Sequence, residues 1–285
     1  MKYKIHTKYP HLSCGPYQFA FSDKTYMMGI LNITPDSFSD GGKYNQMELA
    51  VKRAEEMVGE GADIIDVGGE STRPGHQPVS IEDEIKRVVP IIKAIASSID
   101  VPISIDTYKA EVAEQAIKAG AHLINDVWGA KADPQMAHVA AKYDVPIILM
   151  HNRDNMDYTN LIEDMILDLQ ESIDIVKAAG VKDEKIIIDP GIGFAKEFEH
   201  NIEVLQQLEQ FNRLGYPILL GTSRKRFIGH VLDLPPEQRD EGTGATTCLG
   251  IEKGCSFVRV HNVQLNKRIA SMMDVLVGKG GEYHR

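Results

Sequence analysis

The chain has 285 residues, 43% of them hydrophobic and 25% charged, with a formal net charge of -10. That supports a large apolar core, and an acidic chain with no Lys/Arg block is not a general nucleic-acid binder. No apolar run is long enough to cross a bilayer, and the opening stretch MKYKIHTKYPHL lacks the apolar core of a secretion signal. Cys14, Cys248 and Cys255 show no CxxC or Cys/His spacing. The expectation is a reduced, cytoplasmic protein without a disulfide frame or a structural zinc.

In chain order, residues 1–25 hold two short β-like runs around 13–16, read as a hairpin-like extension that caps the barrel bottom. Residues 26–285 then repeat one unit: a β-branched run ending in polar residues, a helical period, and a Gly or Pro stop. The strand-like runs are 26–32, 63–67, 102–106, 122–126, 146–150, 185–189, 217–221 and 257–261. Their apolar cores read as buried on both faces, as parallel strands are.

Helical periods fill the gaps. Ile81, Ile85, Val88, Val89, Ile92 and Ile95 share a face after Ser80, an N-cap candidate with Asp83 three residues on. Pro90 should bend that helix. Val112, Ala116 and Ile117 form a stripe stopped by Gly120, and Ile202, Leu205 and Leu208 another stopped near Gly215. Leu265, Ile269, Met272, Met273 and Leu276 form the last, with the methionines read most simply as core and the stripe of Ile269, Met272, Met273 and Leu276 equally readable as core or as an interface. Eight such units predict an α/β (β/α)8 TIM barrel. The rival doubly wound sheet expects a glycine fingerprint after its first strand, where this chain has Asn32-Ile33-Thr34-Pro35-Asp36.

In such a barrel the chemistry sits at the C-terminal ends of the strands. Two groups of side chains stand there. Asp106, Asn125 and Asp189 end nearby buried strands, where a carboxylate is costly unless a matching donor array meets it. Two parallel N–H donors provide such an array, and the set suits a heterocycle with a 2-amino-4-oxo edge, such as a pterin or guanine. The second group is Arg73, Lys225, Arg259 and His261, with Asn32 and Thr72. Cations from distant parts of an acidic chain read as a phosphate or diphosphate site, provided the barrel closes.

The motifs are specific. The run NITPDSFSDGG at 32–42 resembles the first signature of the dihydropteroate synthases, and DVGGESTRPG at 66–75 the second. DPGIGF at 189–194 and GTSRK at 221–225 match as well, so that the resemblance covers 26–278. It implies a homodimeric (β/α)8 transferase of folate biosynthesis. Members join a dihydropterin methyl diphosphate to 4-aminobenzoate, with Mg2+, and are sulfonamide targets. By position, Asp106, Asn125, Asp189 and Lys225 would hold the pterin, with Met150, Phe194 and Gly221 packed near it. Arg259, with His261, Asn32 and Thr72, would hold the diphosphate, and Asn32 would also contact Mg2+. Phe38 and Arg73 would sit on two closing loops. Asp36, Arg73, Asp106, Lys225 and Arg259 would carry catalysis. Where many members have Ser after Lys225, this chain has Arg226, whose guanidinium either pairs with the benzoate carboxylate or points to solvent. Two alternatives share the pocket: a methyltetrahydrofolate–corrinoid methyltransferase, which has no diphosphate to bind, and a non-catalytic pterin-binding protein, which would lose the lid motifs.

Overall fold

The computed structural model describes residues 5–33, 43–70 and 78–280. After a hairpin of β1 (His11–Cys14) and β2 (Tyr17–Ala20) come β3 (Tyr26–Asn32), β4 (Ile64–Gly68), β5 (Ile103–Asp106), β6 (Leu123–Asp126), β7 (Ile147–Met150), β8 (Ile186–Asp189), β9 (Leu219–Leu220) and β10 (Phe257–Val260). β3 to β8 pair in parallel and in sequence order, β10 pairs with the other side of β3, and β9 lies beyond β10. The Ile188 N–H donates to Pro217 O at 3.0 Å, so β8 meets the segment entering β9 and the ring closes. The expected eight-stranded (β/α)8 barrel is present, with its hairpin extension.

Closure explains the composition of the strands. Every residue of β4 to β9 is buried, because the outward face lies under helices and the inward face lies under the other strands. Ile and Val fit that doubly covered, pleated surface. Leu12, Phe19 and Phe21 of the hairpin region pack on inward-facing Met28, Ile64 and Ile148, closing the end opposite the polar strand ends. The Phe19 ring meets Tyr26 edge-on at 4.8 Å, and Lys185 Nζ donates to Ser13 O at 2.9 Å.

The helices are α1 (Lys43–Gly59), α2 (Ile81–Ala96), α3 (Ala110–Ala119), α4 (Met136–Tyr143), α5 (Leu161–Ala178), α6 (Phe198–Gln206), α7 (Arg226–Leu232), α8 (Asp240–Glu252) and α9 (Val263–Val277). Ser80 caps α2 as expected, its Oγ accepting from the Asp83 N–H at 3.1 Å. Gly120 ends α3 in the left-handed conformation. Pro90 lies inside α2 without ending it.

Three expectations need correction. Ile81 is 39% exposed, and the buried place on that face goes to Glu84. The stripe 202–208 breaks at Gln207, and a 3-10 turn carries the chain on to Gly215. The core face of α9 is Val263, Asn266, Ala270 and Asp274, while Met272 and Leu276 are 57% and 65% exposed. The Asp274 carboxylate is turned inward by Thr25, whose N–H and hydroxyl donate to it at 2.8 and 2.7 Å. That polar anchor takes a core position on α9 and leaves Met272 and Leu276 on the outer side, while Met273 packs against the core.

Candidate active site

Arg259 reaches from β10 across the barrel mouth to two other strands. Its Nε donates to Asp66 Oδ2 on β4 and its Nη2 to Asp106 Oδ2 on β5, both at 2.6 Å. Asn125 on β6 donates its Nδ2 to the same Asp66 oxygen at 3.2 Å. Asp66 Oδ1 and Asp106 Oδ1 are buried with no hydrogen-bond partner among the described residues. Two buried carboxylates thus share one guanidinium, and one negative charge is left over. Burial pushes the Asp106 carboxyl up to about 7, with Arg259 opposing and Asp66 and Glu84 adding to the rise. Burial pulls on the Arg259 guanidinium too, but Asp66 and Asp106 outweigh it and hold that group above its ordinary range.

A stability test follows from Asp106. A carboxyl raised in the folded state lends stability below its unfolded value near 4, lost as pH climbs through its folded value of about 7. Asp106→Asn lacks that titration. In urea unfolding, the stability of the variant relative to wild type is expected to rise by a few kcal/mol between about pH 4 and pH 7. A pH-independent difference would contradict the raised value.

Asp189 ends β8, opposite Met150 in register. Its Oδ1 accepts the Gly191 N–H at 2.7 Å. Burial raises its carboxyl, opposed first by Lys225. Lys225 caps α7, its Nζ donating to Ile192 O and lying 4.8 Å from the Phe194 ring centre. Burial lowers that amine to about 8. Gly221 leaves room here, since a Cβ on it would stand 3.7 Å from Asp189 Oδ2. Gly191 has φ +67°, and a Cβ on it would lie 2.0 Å from His151 O. Gly191→Ala is therefore expected to cost about 3 kcal/mol in urea unfolding; wild-type stability would contradict the turn geometry.

His261 lies one residue past β10, its Nδ1 2.9 Å from Ser223 Oγ, which also accepts the His261 N–H at 3.1 Å. Asn32 ends β3 beside Gly68, where a Cβ would stand 3.7 Å from Asn32 Oδ1 and 3.6 Å from Asp106 Oδ2. Those of the predicted side chains that are described therefore stand at one mouth, but not as two separate sets. Arg259 is drawn down among the acids, and the Lys225 amine, hydrogen-bonded to the Ile192 carbonyl, acts on Asp189 through its charge. Asp36, Phe38, Thr72 and Arg73 lie outside the described residues.

Sequence reasoning passed over Asp66. The signal was present: a carboxylate set between Ile65 and Val67 in a doubly buried strand must have a partner. Lys109 and Glu84 were passed over as well. The Lys109 amine binds the carboxylates of Glu70 and Glu84 and Val79 O, while Glu70 accepts from the Tyr108 hydroxyl at 2.9 Å and from the Val79 N–H at 3.2 Å. Glu70 thus accepts from a loop amide as well as from two side chains, and this buried knot ties the residues on either side of 71–77.

The family described as "Pterin binding enzyme" matches residues 28–261. Dihydropteroate synthases from Bacillus subtilis and Clostridium beijerinckii are 58% and 63% identical to the chain, covering 98% and 93% of it and 96% and 99% of themselves. The chain belongs to the dihydropteroate synthase family. Its members are transferases of folate biosynthesis. The crystal structure of the Clostridium difficile dihydropteroate synthase, obtained in the presence of pteroic acid, superposes with a TM-score of 0.90 at 53% identity, over 92% of this chain and 100% of that one. The Xanthomonas albilineans dihydropteroate synthase with 4-aminobenzoic acid gives 0.89 at 37% identity, over 94% and 98%.

The motif GTSRK divides its basic residues. Arg224 holds φ +57° and grips Asp240 with Nε and Nη2 at 2.8 and 3.0 Å, so its charge is spent on the helix below. Arg226 is exposed at the start of α7. Lys225 alone of the three turns to Asp189.

Proposed function

We propose that the chain condenses (7,8-dihydropterin-6-yl)methyl diphosphate with 4-aminobenzoate, releasing diphosphate and 7,8-dihydropteroate, at the mouth formed by Asp106, Asn125, Asp189, Lys225 and Arg259. The observation that carries this reading is the meeting of those side chains from five strand ends, with acids and an amide deep and cations facing them. Asp189 accepts the parallel N–H donors of the 2-amino edge, and Asn125 offers one donor and one acceptor beside it. Lys225 donates to the ring, and Met150, Phe194 and Gly221 shape the slot. Arg259, backed by Asp66 and Asp106, presents its guanidinium face to the ring and its charge to the diphosphate, with His261, Asn32 and Thr72.

The methylene next to the dihydropterin ring carries positive charge by delocalisation into the ring nitrogens. Diphosphate departure can therefore precede attack. The arylamine is neutral near pH 7 and needs no strong base. Catalysis is then mostly positioning and electrostatics.

Asn32 is the residue for Mg2+. Among the described residues no group of three or more His, Cys, Asp or Glu could hold a metal. One amide oxygen beside the diphosphate fits a cation that keeps several waters and binds through substrate phosphates. When bound, Mg2+ neutralises charge on the leaving diphosphate.

Asp36, Phe38 and Arg73, which lie outside the described residues, are assigned to the aminobenzoate side of the reaction by their motifs. Arg73→Ala is expected to lower kcat by about tenfold or more, with pterin affinity within about twofold of wild type; the reverse pattern would move Arg73 into the pterin pocket.

The enzyme works as a cytoplasmic homodimer: Cys14, Cys248 and Cys255 are free thiols, and Val275 and Leu276 with Met272 give α9 an exposed apolar face suited to a second copy. Sedimentation tests the dimer. The assay that tests the function is incubation of the pure protein with both substrates and Mg2+. Dihydropteroate and diphosphate in equal amounts are expected, and no product would overturn the reading.

A further inference from the structure

Lys196 lies just past the turn that follows β8, is 8% exposed, and makes none of the substrate contacts above. Its amine has three hydrogens and three acceptors: Gly191 O at 3.0 Å, Phe194 O at 2.9 Å and His151 Nδ1 at 3.0 Å. His151 is buried, with Nε2 2.9 Å from Asp168 Oδ2. A ring accepting at Nδ1 carries its proton on Nε2 and donates it to that carboxylate. Burial keeps the imidazole neutral, pulling it down to about 4. Arg153 Nε donates to the same Asp168 oxygen at 2.5 Å. A polar chain therefore runs from α5 through His151 and Lys196 to the underside of the turn 190–195.

That turn does not hold its shape by backbone preference. Gly191, Gly193 and Ala195 have φ of +67°, +85° and +46°, and the last is unfavourable for a residue with a Cβ. The same turn makes both contacts on which the pterin pocket depends. The Gly191 N–H binds Asp189 Oδ1, and Ile192 O receives the Lys225 amine. Lys196 grips the carbonyls on either side of Ile192.

We propose that Lys196 is a positioning residue for the pterin pocket, holding the 191–194 turn so that Asp189 and Lys225 face their ligand in register; this rests on the pocket reading given above. Its charge also opposes the burial that raises the Asp189 carboxyl.

The test is steady-state kinetics of Lys196→Met at about pH 6.5, where the wild-type amine, lowered to about 7 by burial, is mostly charged. The KM for the dihydropterin diphosphate is expected to rise about tenfold or more, with kcat and the KM for 4-aminobenzoate within about twofold of wild type. Unchanged constants would overturn the proposal. So would a fall in kcat with both KM values altered together, which is the mark of general damage. Should Lys196→Met not fold, Lys196→Gln, which keeps amide donors for the carbonyls, is held to the same split. Asp189→Asn, assayed in parallel, separates two failures. If it too keeps the wild-type pterin KM, the pocket reading is wrong. If it loses pterin while Lys196→Met does not, only the positioning role is.

Discussion

Asp189→Ala is expected to remove measurable pterin binding while the barrel stays folded. The carboxylate is 5% exposed at the end of β8, and its Oδ1 is already committed to the Gly191 N–H. Its remaining acceptor sites face the pocket near Lys225. Two charge-assisted hydrogen bonds to a 2-amino edge contribute roughly 3–4 kcal/mol, so affinity should fall by about 100-fold to 1000-fold in calorimetry with a pterin. Stability should move little, or upward. Burial raises the Asp189 carboxyl in the folded state, so its ionised form costs stability at neutral pH and deletion relieves that cost. Unchanged pterin affinity would remove Asp189 from the pocket.

The second large effect belongs to Arg259. Arg259→Met leaves Asp66 and Asp106 buried without the guanidinium that both accept from. Breaking such a pairing from one side costs about 3–5 kcal/mol. The defect should depend on pH with a definite sign. Without the cation, the Asp106 carboxyl rises further above its unfolded value, so the folded variant holds that proton more tightly than its unfolded chain. Its stability is then greatest at low pH and declines as pH rises through the folded value of Asp106, beyond the wild-type figure of about 7. Urea unfolding at about pH 5 and pH 8 should show the gap from wild type widening at the higher pH. Diphosphate release should fall by about 100-fold or more, because the charge facing the leaving group is gone. A loss of turnover without a pH-dependent loss of stability would mean that Arg259 does not bridge the two acids in solution.

Both effects come from residues whose positions could be read in advance, but whose partners could not. Asp106, Asn125 and Asp189 each close a run of β-branched residues, and a polar side chain at that point of a parallel strand is already an observation about the barrel mouth. His261 and Lys225 were legible in the same way. Asp66 was not, because nothing nearby in sequence answers its charge; its partner is Arg259, 193 residues on. Lys196 follows a glycine-rich turn with no local mark of burial, and only the turn folding back over His151 buries it.

The helical stripes divide along the same line. On α3 the apolar period and the glycine stop lie within one turn-by-turn pattern, and the structure follows it. On α9 the apolar period divides, with Met273 against the core and Met272 and Leu276 outside, because Thr25 at the other end of the chain takes hold of Asp274.

Strand positions, helix caps and the polar strand ends came from the chain alone, because each follows from period and burial over a few neighbouring residues. The pairing of Arg259 with Asp66 and Asp106, the burial of Lys196 and the outward face of α9 required the closed barrel. Each depends on which distant segments the ring of strands brings within hydrogen-bond reach, and no local pattern encodes that distance.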